Sequence, residues 1–163
     1  MYFFRTLTLL FLTCCFAAPA IAEDKLGLSQ YKGEVVYVDF WASWCTPCKQ
    51  SFPWMDQMHK KYHTLGLNII AVNLDEDPAL ADQFLSKHPI SFKTIKDPEG
   101  VLAEKYQVQG MPTALLFNKD GKLIDQHIGF NPKKSNQYEA ILRKALAAHD
   151  DIKLSQHSGK KQL

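Results

Sequence analysis

The chain has 163 residues, 46% hydrophobic and 22% charged, enough for one domain with its own core and too few for two comfortable ones. Its formal net charge is +2 and 12% of its residues are aromatic, which excludes the electrostatic footprint of a nucleic-acid binder and argues against global disorder. Four cysteines leave three chemistries open, a disulfide framework, a metal site or a redox pair, and their placement must decide.

The N-terminus carries one charge, Arg5, followed by an apolar run over residues 7–18 and then Ala20-Ile21-Ala22 ahead of Glu23-Asp24-Lys25. This is the pattern of a secretory signal over 1–22, cleaved after Ala22. Two other readings compete with it. A retained membrane anchor would need ~20 apolar residues, and the stretch bounded by Arg5 and Pro19 is well short of that. Lipidation at Cys14 or Cys15 would place Thr13 or Cys14 where a small residue is usual. Cleavage removes 22 of the 163 residues, leaving 141 with Cys45 and Cys48 as the remaining cysteines. Neither a multi-bridge scaffold nor a closed four-cysteine zinc site can be built from one pair.

Along the exported part, residues 35–42 (VVYVDFWA) are nearly continuous in apolar character and rich in β-branched and aromatic types, which predicts a buried central strand. Residues 67–74 (LNIIAVNL) predict a second. Between them Phe52, Met55, Met58 and Tyr62 recur at helical spacing over 47–63, so the segment forms a βαβ unit with a right-handed parallel crossover. Pro78 opens the next helix, which ends before Pro89. A short strand over 92–95 and a short helix over 99–106 follow. Residues 112–118 form a strand, Asp120-Gly121 gives the hairpin turn, and 123–128 pair back antiparallel. Tyr138, Ile141, Leu142 and Ala145 share one face of a final helix. The domain is expected over 23–149, with 150–163 a polar, disordered tail. The class is α/β, a central mixed sheet with helices on both faces.

Trp44-Cys45-Thr46-Pro47-Cys48 sits where the first strand gives way to the helix. Cysteines three apart in a first helical turn bring their Cα atoms to about 5 Å, inside the range a disulfide accepts. Cys45 at the helix N-terminus faces unpaired amides and the positive end of the macrodipole, which stabilise its thiolate and pull its pKa below the ~8.5 of a free thiol. That makes Cys45 the attacking sulfur and Cys48, one turn further in, the resolving one. Pro47 suits an early helical position, where its missing N–H would be unpaired anyway. Two plainer readings stand beside this one: copper or zinc binding by the two thiolates with His59, His63, His88 or His127, and a purely structural disulfide, whose small loop constrains the unfolded chain little. Asp39 interrupts the apolar strand six positions before Cys45, where burial raises a carboxyl pKa, so it is a candidate to hold or relay a proton.

The run Val38-Asp39-Phe40-Trp41-Ala42-Ser43-Trp44-Cys45-Thr46-Pro47-Cys48-Lys49 resembles the active-site segment of thioredoxin-family proteins. Pro53 falls where that family has a helix-kinking proline, and Gly110-Met111-Pro112-Thr113 resembles its cis-proline loop facing the disulfide. The resemblance covers about residues 25–148. An extra helix and strand over 78–96, inserted before the cis-proline, is similar to the exported TlpA and ResA group. Glu76 resembles an acidic residue that some members place near the active site. Thr46 replaces the glycine of ordinary thioredoxin, and no histidine lies between the cysteines, so the resemblance implies a reducing or intermediate potential.

These features imply a thioredoxin fold and an exported, periplasmic thiol–disulfide oxidoreductase working through a Cys45–Cys48 disulfide, with no other cofactor. Its expected partners are disulfide-containing or thiol-containing envelope proteins, with a membrane thiol transporter as electron donor, no nucleic acid, and a monomeric state. Asp39, Trp44, Thr46, Pro47, Glu76, Met111 and Pro112 are the expected supporting residues. A cis Met111–Pro112 bond would leave the preceding backbone free to pair in β fashion with a substrate segment. A thiol peroxidase on the same fold is a third reading, but its signature cysteine environment differs, so peroxide consumption without an added thiol partner should be negligible.

Overall fold

Strand β1 (Val35–Trp41) is buried at every one of its seven positions, as a run that is apolar everywhere but Asp39 demands. It lies at the middle of a five-stranded sheet ordered β3-β2-β1-β4-β5, in a computed structural model that describes residues 25–148. The signal segment and the polar tail expected from sequence fall outside the described residues. β2 (Leu67–Asn73) runs parallel to β1 on one side and to β3 (Lys93–Lys96) beyond it. β4 (Thr113–Phe117) is antiparallel to β1, and β5 (Leu123–Ile128) closes the hairpin with β4. The sheet is mixed because β1, β2 and β3 are joined by crossovers, whereas β4 runs back against β1 and turns tightly into β5 at Asp120-Gly121, where Gly121 takes φ 75°.

Successive residues of β1 serve opposite faces. Val35, Tyr37 and Trp41 join a core with helix α1 (Thr46–Tyr62), α2 (Pro78–Lys87) and α4 (Ser135–Ala147), to which Phe52, Met55, Met58, Phe84 and Leu142 contribute. Val36, Val38 and Phe40 join a second core with Ile70, Val72, Leu115, Leu26 and Leu102 of the short helix α3 (Val101–Lys105). Helices therefore cover both faces of the sheet. Each fully buried side chain of this size contributes about 1.5–3 kcal/mol, which lets α1 run on through Pro53 although that residue offers no N–H to the preceding turn.

The inserted helix α2 is fixed by an aromatic cluster. Phe84 packs against Trp41 and Phe52 with ring centroids 5.0 and 5.2 Å apart, and Phe52 meets Phe92 at 5.7 Å. Asp77 caps α2 by accepting from the backbone N–H of Ala79 at 2.9 Å, ahead of Pro78 in the first turn. The helix expected over 99–106 shortens to α3 because Gly100 takes a left-handed conformation with φ 69°. Asp97 then accepts the N–H groups of Leu102 and Ala103 at 2.9 and 3.1 Å, closing the entry turn. The short strand shifts by one residue, from 92–95 to Lys93–Lys96, because Phe92 turns into the aromatic cluster instead of joining β2.

Candidate active site

Trp44, Cys45, Thr46, Pro47 and Cys48 follow the carboxyl end of β1, the end at which an α/β sheet opens toward ligands. β1 stops at Trp41, a turn follows in which the N–H of Cys45 donates to Ala42 O at 3.1 Å, and α1 begins at Thr46. Cys45 is the helix N-cap, with extended backbone (φ −77°, ψ 107°), and Pro47 stands in the first turn. Cys45 and Cys48 are joined in a disulfide with Cα atoms 5.2 Å apart. The N–H of Cys48 points at Cys45 Sγ from 3.3 Å. That contact is the N-cap bond usually made by a side-chain oxygen, and in the dithiol it places a donor and the helix dipole on the Cys45 sulfur.

Exposure separates the two sulfurs modestly. Cys48 is fully buried and Cys45 is 5% exposed, while the neighbouring Trp44 is 65% exposed and stands out beside the pair. Thr46 is also exposed, and Pro47 is half-buried. The β1–β4 register pairs Phe40 with Thr113, which brings Met111 and Pro112 level with the chain leaving β1. The Met111–Pro112 bond is cis. Met111 packs on the core that contains both cysteines, and Thr113 Oγ1 donates to Gly110 O at 2.6 Å, closing the loop on itself.

Asp39 lies on the α1 side of the sheet, alternating with Val38 and Phe40 of the opposite core. It is 1% exposed, and its strand neighbours are Ala71 on β2 and Ala114 on β4, the smallest side chains on that face. Its Oδ2 is a buried oxygen without a hydrogen-bond partner, and burial holds its pKa well above the ordinary carboxylate range. The adjacent Tyr37 is raised as well, by burial first and by the Asp39 charge second.

Sequence reasoning passed over Asp75. This carboxylate is 1% exposed and accepts from the backbone N–H of Ser43 at 3.0 Å, from Ser43 Oγ at 3.0 Å and from Asn73 Nδ2 at 2.7 Å. It fastens the turn that carries Trp44 and Cys45 to the end of β2. Glu76, the acidic neighbour singled out from sequence, is exposed on the loop. The signal for Asp75 was its place, two residues past Asn73 at the carboxyl end of a central strand, where polar side chains converge on a site.

Each of the four candidate histidines contacts another side chain, His63 lying 5.4 Å from the His59 ring. His59 Nδ1 is 2.9 Å from Ser91 Oγ, the His88 ring stacks on Phe84 with centroids 4.2 Å apart, and His127 stacks on Tyr138 at 4.6 Å. Among the described residues no three of His, Cys, Asp or Glu come together in a way that would hold a metal ion.

A cysteine pair at a strand-to-helix junction, beside a cis-proline and above a buried aspartate, can exchange disulfides. A family profile described as Redoxin matches residues 18–142. The chain belongs to the Redoxin family. It is 33% identical over 129 residues to the thiol-disulfide oxidoreductase ResA of Bacillus thuringiensis subsp. konkukian, an alignment covering 79% of this chain and 73% of that one. A solved Chlorobium tepidum structure assigned as thiol:disulfide interchange protein DsbE shares 47% identity with a TM-score of 0.72, covering 74% of this chain and 85% of the other. StoA from Bacillus subtilis superimposes with a TM-score of 0.59 at 25% identity, covering 67% and 82%. The protein is a ResA-like thiol–disulfide oxidoreductase with a thioredoxin fold.

Proposed function

We propose that the protein is exported and that it reduces or exchanges disulfides in envelope proteins, with Cys45 as the attacking sulfur and Cys48 as the resolving one. The observation that carries this assignment is the N-cap contact: in the dithiol, the Cys48 N–H and the N-terminal dipole of α1 both favour a thiolate on Cys45, and none of this reaches Cys48 equally.

The cycle follows from that asymmetry. The Cys45 thiolate attacks one sulfur of a substrate disulfide, forming a mixed disulfide and releasing the other substrate sulfur as a thiolate that takes up a proton. Cys48 loses its proton and attacks Cys45 Sγ, so the second substrate thiol leaves and the pair is oxidised by the two electrons the substrate gained. Asp39, whose pKa burial raises and which lies on the face of the sheet that α1 covers, relays the Cys48 proton toward the departing substrate thiolate. Return to the dithiol requires a dithiol donor, and a membrane thiol transporter fits an exported protein. Trp44, Thr46, Pro47, Met111 and Pro112 frame the surface that meets the substrate. Among the described residues no helix is long and apolar enough to cross a membrane.

The test is turnover in insulin-disulfide reduction with a thiol donor. Cys45→Ser abolishes it and Cys48→Ala stalls it at a mixed disulfide. Undiminished reduction by Cys45→Ser would overturn the mechanism. A reducing role also predicts a potential nearer the thioredoxin value of about −270 mV than the −120 mV of a strong oxidant.

A further inference from the structure

Between the segment that carries the cysteines and the inserted helix lies a groove of about 380 Å³ lined by Ser43, Lys49, Leu80, Phe84, Lys87 and His88, with Gln83 completing it. Ser43 and Lys49 belong to the segment that carries Cys45 and Cys48. The other residues come from α2 and its end, the element inserted before the cis-proline. The groove therefore lies between the cysteine segment and the inserted helix.

Its chemistry is one-sided. No carboxylate lines it. Lys49 and Lys87 are exposed and make no ion pair among the described residues, whereas Lys60, Lys61 and Lys96 each pair with an acid elsewhere. Of the acids on the adjoining elements, Asp75 is held by Ser43 and Asn73, Asp77 caps α2 and Asp82 pairs with Lys96, while Glu76 is exposed on the loop and does not line the groove. Leu80 is 43% exposed at the wall, and His88 is held over Phe84 by stacking and by a 2.9 Å contact between its Nδ1 and Phe84 O. Two unpaired ammonium groups around an apolar patch are complementary to a carboxylate next to an apolar side chain. A chain of net charge +2 has little global field to supply such a preference, so it must be local.

We propose that this groove selects protein substrates whose reactive cysteine is flanked by an acidic residue next to an apolar one, the carboxylate meeting Lys49 and Lys87 and the apolar side chain meeting Leu80. The proposal rests on the oxidoreductase reading and deepens it by naming a substrate class.

The experiment compares two synthetic disulfide peptides that differ only in whether Glu-Leu or Lys-Leu flanks the cysteine, mixed with the reduced protein at low salt, with peptide thiol release followed in a single turnover. The Glu-Leu peptide reacts about 3- to 10-fold faster, the effect of one or two exposed charge pairs, and the ratio falls toward one in molar salt. Lys87→Glu, a change on α2 outside the cysteine segment, reduces the preference, and Lys49→Glu combined with Lys87→Glu inverts it. Equal rates for the two peptides at low salt, or a preference untouched by both variants, would overturn the groove assignment while leaving the exchange mechanism standing. Failure of the wild-type protein to react with either peptide would instead overturn the oxidoreductase reading, and the groove proposal with it.

Discussion

Asp75→Ala tests whether the turn bearing Cys45 is held from outside. The substitution takes one acceptor away from three donors. Asn73 is 1% exposed, so its Nδ2, now 2.7 Å from Asp75, is left buried without a partner at a cost of about 1–3 kcal/mol. The Ser43 N–H and hydroxyl, both 3.0 Å from the carboxylate, are half-exposed and regain water, so each costs only about 0.5–1.5 kcal/mol. The whole comes to roughly 2–6 kcal/mol, against the 5–15 kcal/mol by which a domain of this size is stable, so the variant folds but with a reduced margin. Ser43→Ala loses one of these bonds and costs about 1 kcal/mol. Loosening the turn also misplaces Cys45, so insulin-disulfide turnover falls roughly tenfold or more under conditions where the variant is fully folded. Urea unfolding at unchanged m-value reads the first effect and turnover the second. An Asp75→Ala protein with the wild-type urea midpoint and wild-type turnover would refute the reasoning.

Asp39→Asn removes a buried carboxyl that holds its proton longer in the folded state than in the unfolded one. The folded state then binds more protons across the window from the unfolded pKa, about 3.9, up to the raised folded value, so wild-type stability falls as pH rises through it. The Asn variant accordingly gains on the wild type with rising pH, by about 1.4 kcal/mol for each tenfold weakening of the acid, and thermal melts from about pH 4 to about pH 8 show the gap open. A gap that does not change with pH contradicts the assignment. Phe84→Ala removes the ring that ties α2 to Trp41 and Phe52 and costs about 3–5 kcal/mol in denaturant unfolding, whereas a loss under 1 kcal/mol would show that α2 is held elsewhere. Trp44→Ala, at a 65% exposed position, shifts stability by no more than about 0.5 kcal/mol yet slows exchange with protein disulfides about fivefold; unchanged exchange would remove Trp44 from the substrate surface.

Where local pattern and tertiary demand agree, the residues announced the structure. The run at 35–41 had to be a central strand because its six apolar side chains find a core on one face or the other, and the Asp120-Gly121 turn had to be a hairpin. α1 was legible from its apolar spacing, and the position of Cys45 at its first cap followed. The edges were less legible. α3 is five residues long, and its start depends on the side chain of Asp97 reaching forward to two amides, a choice no periodicity encodes. The cysteine pair and the cis bond could be read from their motifs. Asp75 was marked only by its place after a central strand, where an acidic residue looks like an ordinary loop, and its partner Ser43, 32 positions away, could not be read. The groove was hidden for the same reason: Lys49 and Lys87 come together only once Phe84 has docked α2 beside the cysteine segment.

Cys45 as the attacking sulfur is tested most directly by where a trapped partner is attached. Reduced Cys48→Ala protein is mixed with a disulfide substrate, quenched in acid, digested and mapped by mass spectrometry. The adduct should sit on Cys45, and the reciprocal Cys45→Ala protein should form it far more slowly at neutral pH. Equal or faster adduct formation on Cys48 would contradict the role that the helix N-cap assigns to Cys45.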